Sequence, residues 1–260
     1  MTGTVSVAVG RGADRIAVVV GLAGVTTVAW ALTVQFAAGM SMPDGTMPMA
    51  SAMPAAGPSL LLVTGMWAAM MVGMMVPSAT PMVVAYTDWM HRDPSSDKKA
   101  AAVGSFLSGY VLVWLAFSLV AAVLQLTLER VGALNAAGTT ARPALGGAVL
   151  VLAGLFQVTP WKESCLSSCR TPVGFLIAEW RDGARGGLIM GIRHGVYCLG
   201  CCWALMGVLF VVGTMHLMWM AVIAGFVLAE KVAPRVLRVR YAAAVLLVGW
   251  GGSTLLNVGT

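Results

Sequence analysis

The sequence predicts an all-α, polytopic helical bundle made for a lipid bilayer, and three observations predict it. Of the 260 residues, 59% are hydrophobic and only 10% are charged, where soluble proteins carry roughly 25% charged residues. The mean hydropathy of +0.87 leaves too few polar side chains to cover a soluble domain of this length. The apolar residues fall into runs near the roughly 20 residues that carry a helix across a hydrocarbon core, with the charges gathered in the short stretches between them. A soluble enzyme is excluded. So is a nucleic-acid binder, because no polybasic run and no DNA-reading motif is present.

Seven stretches qualify as spans: 16–38, 60–86, 103–128, 144–159, 188–212, 217–232 and 241–256. The first follows Arg11 and Arg15, but its apolar run is longer than the roughly 7–15 residues of a signal-peptide core, so it reads as an anchor. In the second, Pro77 and Pro81 are expected to break the helix before Met82. The fourth and sixth are the shortest, which makes six crossings the alternative count. With the amino terminus in the cytoplasm, thirteen of the 16 Lys and Arg residues fall on one side, among them Arg15, Lys162, Lys231 and Arg240; Arg130 and Arg142 fall on the other, and Arg193 lies inside a span. That asymmetry fits a multi-pass protein of the bacterial inner membrane and accounts for the net charge of +6. Arg193 is expected to pair with Glu179, Asp182 or Glu230, and Glu230 with Lys231 or a neighbouring Arg.

The chain reads as a single transmembrane domain over 1–260 with two distinctive loops. The outer loop 39–58 has no Lys or Arg and carries Met40, Met42, Met47, Met49 and Met53 among prolines and glycines. The cytoplasmic loop 160–187 contains Cys165 and Cys169, and its stretch FLIAEWRDGARGG reads as an interfacial amphipathic turn ending in a flexible linker. No internal repeat is evident, so an inverted-repeat transporter is not indicated.

Sulfur dominates the chemistry. The chain has 18 Met and 5 Cys, and five of the methionines crowd into fewer than three turns of the second span. Four residues advance a helix by roughly 400°, so Met66, Met70 and Met74 stack within about 80°, flanked by Met71 and Met75. Methionine commonly fills gaps in packed cores, but a column of five preceded by five more in a loop calls for a ligand. The fifth span reads GIRHGVYCLGCCWALMG, where His194, Cys198, Cys201 and Cys202 share an arc of about 100°, with Met206 beyond. Cys198 lies about 16 Å into that span, near the bilayer midplane, where a thiolate or an imidazole is costly unless a cation binds it. Thiolate, thioether and imidazole ligands together select Cu(I), with zinc as the competitor. Met215, His216 and Met218 stand at the outer end of the sixth span, as an extension of the thioether path or as an interfacial belt. His91 reads as a solvated loop residue.

The segments MWAAMMVGMMVPSATPM, CLSSCRTP, GIRHGVYCLGCCWALM and VVGTMHLMWM, with a following EK pair, resemble a bacterial family of predicted metal-binding integral membrane proteins, a domain-of-unknown-function family. The resemblance covers about 60–231 and leaves the Met-rich loop outside. It implies membrane residence and metal binding, and it brings no catalytic activity with it. The Met column is also similar to the M-x-x-x-M pattern of eukaryotic high-affinity copper transporters, whose three-span trimers differ from this layout.

The expectation is therefore a Cu(I)-binding membrane protein that moves copper or delivers it to a partner. The loop methionines capture the ion outside, Met66 to Met75 pass it inward, His194 with Cys198, Cys201 and Cys202 hold it at midplane, and Cys165 with Cys169 receive it at the cytosolic face. The partners implied are the lipid bilayer, a copper-dependent membrane enzyme or a soluble copper carrier, and a second copy of the chain in a homo-oligomer. Two rival readings are an accessory subunit of a membrane copper metalloenzyme and a membrane thiol–disulfide oxidoreductase using Cys198 and Cys201. The latter is disfavoured by the lack of an evident activating cation in the sequence around those thiols.

Overall fold

The computed structural model describes residues 2–41, 59–90, 99–135, 138–232 and 236–257. The described residues form nine helices: α1 (Thr2–Ser41), α2 (Leu60–Met90), α3 (Lys99–Arg130), α4 (Pro143–Gln157), α5 (Pro160–Arg170), α6 (Pro172–Glu179), α7 (Gly183–Val212), α8 (Leu217–Val232) and α9 (Val236–Leu256). The all-α class expected from composition holds. Five of the helices, α1, α2, α3, α7 and α9, are long and apolar enough to cross a membrane. The pair α4 and α5 adds a sixth if it is taken as one span, bent by 62°. The bend is written locally: Pro160 opens α5, and the Thr159 side chain caps it by accepting a hydrogen bond from the Lys162 backbone N–H at 3.3 Å. At 16 residues, α8 spans about 24 Å, less than a hydrocarbon core of about 30 Å. The seven crossings read from the sequence thus reduce to five or six by length and composition.

Two further expectations change. Pro77 and Pro81 do not break α2, which runs through both of them. Pro77 cannot donate to the carbonyl of Gly73 one turn earlier, and the Trp30 indole of α1 supplies that hydrogen bond instead, at 3.2 Å. The stretch FLIAEWRDGARGG does not end in a linker: α6 holds its first five residues and α7 its last five.

The bundle is inside-out in its polarity. Large apolar side chains face outward, as with Val245 and Leu246 at 71% exposed, while α2, whose methionines and aromatics are buried, occupies the centre between α1, α3 and α8. Close packing holds helices whose surfaces are apolar all round, and small residues permit it. The most extensive pairing is α3 with α7. Gly187, Gly191 and Gly195 repeat every fourth residue along α7, and a Cβ at Gly191 would overlap the Phe106 carbonyl of α3. Gly109 on α3 meets the Leu188 carbonyl in the same way. The second interface, α4 with α9, uses Gly147, Gly154 and Gly251 in the same manner. Replacing Gly191 by Val is expected to destabilise the bundle by about 1–3 kcal/mol or more, measured as a lowered midpoint in a denaturant titration of the detergent-solubilised protein. The same change at Gly207, which has open space around it, should be nearly neutral.

The helices run alternately, so the Arg15–Asp88 pair (2.5 Å) and the Arg193–Glu179 pair gather toward one end. The turn 131–135, the start of α4 and Gly213 (φ 103), which ends α7, gather at the other, where the Thr140 N–H donates to the Phe210 carbonyl at 2.8 Å.

Candidate metal centre

The five cysteines come together on two helices. On α7, Cys198, Cys201 and Cys202 are buried, the Cys201 thiol donating to the Cys198 carbonyl at 3.1 Å and the Cys202 thiol to the same carbonyl at 2.9 Å. α5 packs across them. Its Cys169 is buried, with its thiol in hydrogen-bonding reach of both Cys198 and Cys201. Cys165 is half-buried and lies so close to α7 that a Cβ at Gly200 would come 2.8 Å from its sulfur. All five are free thiols. The expectation of a separate cytosolic station at Cys165 and Cys169 therefore changes: Cys169 sits beside the Cys198 cluster, because 160–170 is a helix laid against α7 and not an open loop.

Two residues outside the expected set contact the Cys198 sulfur, Tyr110 and Lys231, with Ser78 behind the lysine. The close approach at Gly191 and Gly195 brings Tyr110 of α3 to the sulfur, with Oη 3.2 Å from Sγ. The same hydroxyl reaches the Met75 carbonyl at 3.0 Å, and Ser78 Oγ donates to that carbonyl at 2.8 Å. Lys231, at the end of α8, extends its ammonium between Ser78 Oγ (2.8 Å) and Cys198 Sγ (2.9 Å). A tyrosine hydroxyl has one proton to give, so only Lys231 is an unambiguous donor to the sulfur. The sequence did hold a signal for this lysine, an EK dipeptide at the end of an apolar run, but Lys231 reads there as one more topological charge. With an ammonium at 2.9 Å, the premise that no cation accompanies these thiols is also corrected.

Glu230 turns the opposite way. Neither Lys231 nor an arginine is its partner: it pairs with Lys162 of α5 at 2.7 Å, both side chains fully buried. Lys162 also donates to Gln157, and Arg240 donates to the Gln157 carbonyl at 2.7 Å and pairs with Glu163. Arg193 takes Glu179 from its expected set.

His194 is buried one turn from Cys198, amid Phe106, Tyr110 and Phe175 with ring centroids 6.0, 5.7 and 5.5 Å away. Both its nitrogens lack a hydrogen-bond partner, a cost of about 1–3 kcal/mol unless a ligand repays it. Met66, Met70, Met71, Met74 and Met75 are all at most 4% exposed, and together with Met206, Cys169, Cys198, Cys201 and Cys202 they belong to one continuous core cluster. Trp67 of α2 packs on Phe210 of α7 at 5.2 Å, whereas Met75 and Cys198 meet through Tyr110. The thioethers thus lead from the Leu60 end of α2 toward the thiols. His216 is exposed at the start of α8. Met40 closes α1, but its side chain and all of Met42, Met47, Met49 and Met53 lie outside the described residues, as does His91.

Among the described residues no three His, Cys, Asp or Glu side chains are arranged as a ready-made ion cage. What is arranged is a set of free thiols beside thioethers, soft donors of the kind that bind Cu(I) or Zn(II).

Fold and site together define an all-α protein with membrane-length apolar helices around a buried cluster of thiols and thioethers. The profile of the family PpoB2, described as a copper chaperone, matches residues 64–254. The chain belongs to that family. The match leaves the Met-rich loop outside and runs beyond Lys231 into α9. No curated protein and no solved structure matches the chain.

Proposed function

We propose that this chain is a membrane-embedded Cu(I) carrier that holds the ion on the thiols around Cys198 and hands it on by ligand exchange. The observation that carries the reading is the continuity of the α2 thioethers with the α5 and α7 thiols in one buried cluster. Thioethers resist disulfide formation and suit an oxidising exterior; thiolates bind harder and suit the receiving side. Met40, Met42, Met47, Met49 and Met53 capture the ion, Met66 to Met75 convey it, and Cys198 with Cys169, Cys201, Cys202 and His194 retains it. The chain lies in the bacterial inner membrane with its amino terminus cytoplasmic and the Met-rich loop outside. Its cargo goes to a copper-dependent membrane enzyme or a soluble carrier.

The Lys231–Cys198 contact favours a second reading, a thiol–disulfide oxidoreductase, because a neighbouring cation activates a thiol. One experiment separates the two. Purified full-length protein should retain copper that a variant lacking Cys198, Cys201 and Cys202 does not. Replacing Met70 and Met74 by Leu, which nearly conserves volume, should leave abundance normal and lower cellular copper or partner loading at limiting external copper. Unchanged copper handling in the Met variants would end the conduit. A defect confined to cysteine variants and independent of copper supply would favour the oxidoreductase.

A further inference from the structure

Among the described residues, three buried cations lie on α5, α8 and α9, and two of them are spoken for by carboxylates: Lys162 by Glu230, and Arg240 by Glu163. Lys231 is different. Its ammonium is buried, its hydrogen bonds go to Ser78 Oγ and Cys198 Sγ, and the neighbouring carboxylate, Glu230, faces Lys162. The groups around the ammonium are Ser78 and the Met75 carbonyl from α2, Tyr110 from α3, Cys169 from α5, and Cys198 and Cys201 from α7. The carboxylate of Glu230 feels this charge but is paired with Lys162, so sulfur is the group in direct contact that can balance it.

We infer that Lys231 sets the valence of the ion this centre accepts, selecting a monovalent over a divalent metal by charge balance. The inference rests on the copper-carrier reading above. Metal binding displaces the protons of the ligating thiols. A pair of thiolates, Cys198 with Cys169, around Cu(I) keeps one negative charge, which Lys231 neutralises. The same pair around Zn(II) is already neutral, so the lysine's charge is left buried and unpaired against a metal of higher charge. In a low-dielectric interior an unpaired charge is costly, whereas a balanced set is tolerated. Sulfur ligands alone admit both ions; the lysine supplies the discrimination they lack. Ser78 is the positioning residue, because its hydroxyl accepts from the ammonium while donating to the Met75 carbonyl.

The test is the ratio of Cu(I) to Zn(II) affinity, each measured by competition with a chromophoric chelator on full-length detergent-solubilised protein. Leucine is the replacement of choice at 231, since methionine would add a thioether. Lys231→Leu should weaken Cu(I) binding, whose negative charge loses its counter-ion, and tighten Zn(II), narrowing the ratio by roughly tenfold or more, the low end of what one unit charge a few ångströms away gives at an effective dielectric constant of about 20. Lys231→Arg should keep the wild-type ratio. Ser78→Ala, which removes only the tether, should narrow it less and serves if Lys231→Leu does not fold. A ratio unchanged in Lys231→Leu, or in Ser78→Ala where that variant stands in for it, overturns the inference while leaving the carrier reading intact. Wild-type protein that binds no more Cu(I) than Cys198→Ser overturns both.

Discussion

Replacing Lys162 by Met should cost the fold about 3–5 kcal/mol, the range for removing one partner of a buried ion pair. The Lys162 and Glu230 side chains are 0% and 1% exposed and 2.7 Å apart, so the substitution strands a carboxylate where water cannot reach it. Gln157, which also accepts from Lys162, loses its donor. Adding Glu230→Leu should return much of the loss, because a pair of apolar side chains is tolerated where a single charge is not; Gln157 keeps the recovery incomplete. The effect should reach the sulfur centre, since this pair ties α5, which carries Cys165 and Cys169, to α8, which carries Lys231. Denaturant titration followed by tryptophan fluorescence, with copper content measured on the same samples, checks both. A single variant as stable as the parent would mean that Glu230 is not held by Lys162.

Much of this architecture is legible in the sequence because long apolar runs leave few choices. Runs of apolar residues about 20 long have few alternatives to helix, and the spacing of Met66, Met70 and Met74 or of Cys198 and Cys202 gives a common face whatever the tertiary fold. The third dimension is less legible. Nothing in CLSSCR states that 160–170 is a helix lying against α7, since its mean composition is polar and a loop reads equally well. Pro77 looks like a break because the compensating donor, Trp30, is 43 residues away. Lys231 and Lys162 count as topological charges until their partners on other helices are known, and in both cases the partner is a long-range contact. Charge bookkeeping assigns a basic residue to a side of the membrane; it does not reveal which of them turn inward.

The position of Cys169 gives the sharpest test of the sulfur centre, because two arrangements of the same cysteines predict different copper contents. On the carrier reading, if Cys165 and Cys169 were a receiving station apart from Cys198, Cys169→Ser would leave the Cys198 site loaded and block only delivery. If instead Cys169, buried in the same cluster as Cys198 and Cys201, shares one site with them, Cys169→Ser should lose copper as completely as Cys198→Ser. The double variant should be no worse than either single, since residues acting as a unit are not additive. Cys165→Ser should be milder, as its half-buried sulfur sits against Gly200. Serine nearly preserves shape, so helicity and thermal midpoint should stay near the parent values, and the difference should appear in metal content after a chelator wash and in the number of sulfur neighbours seen by X-ray absorption at the copper edge. Full copper retention by Cys169→Ser would separate the two helices chemically and return Cys165 and Cys169 to a downstream role.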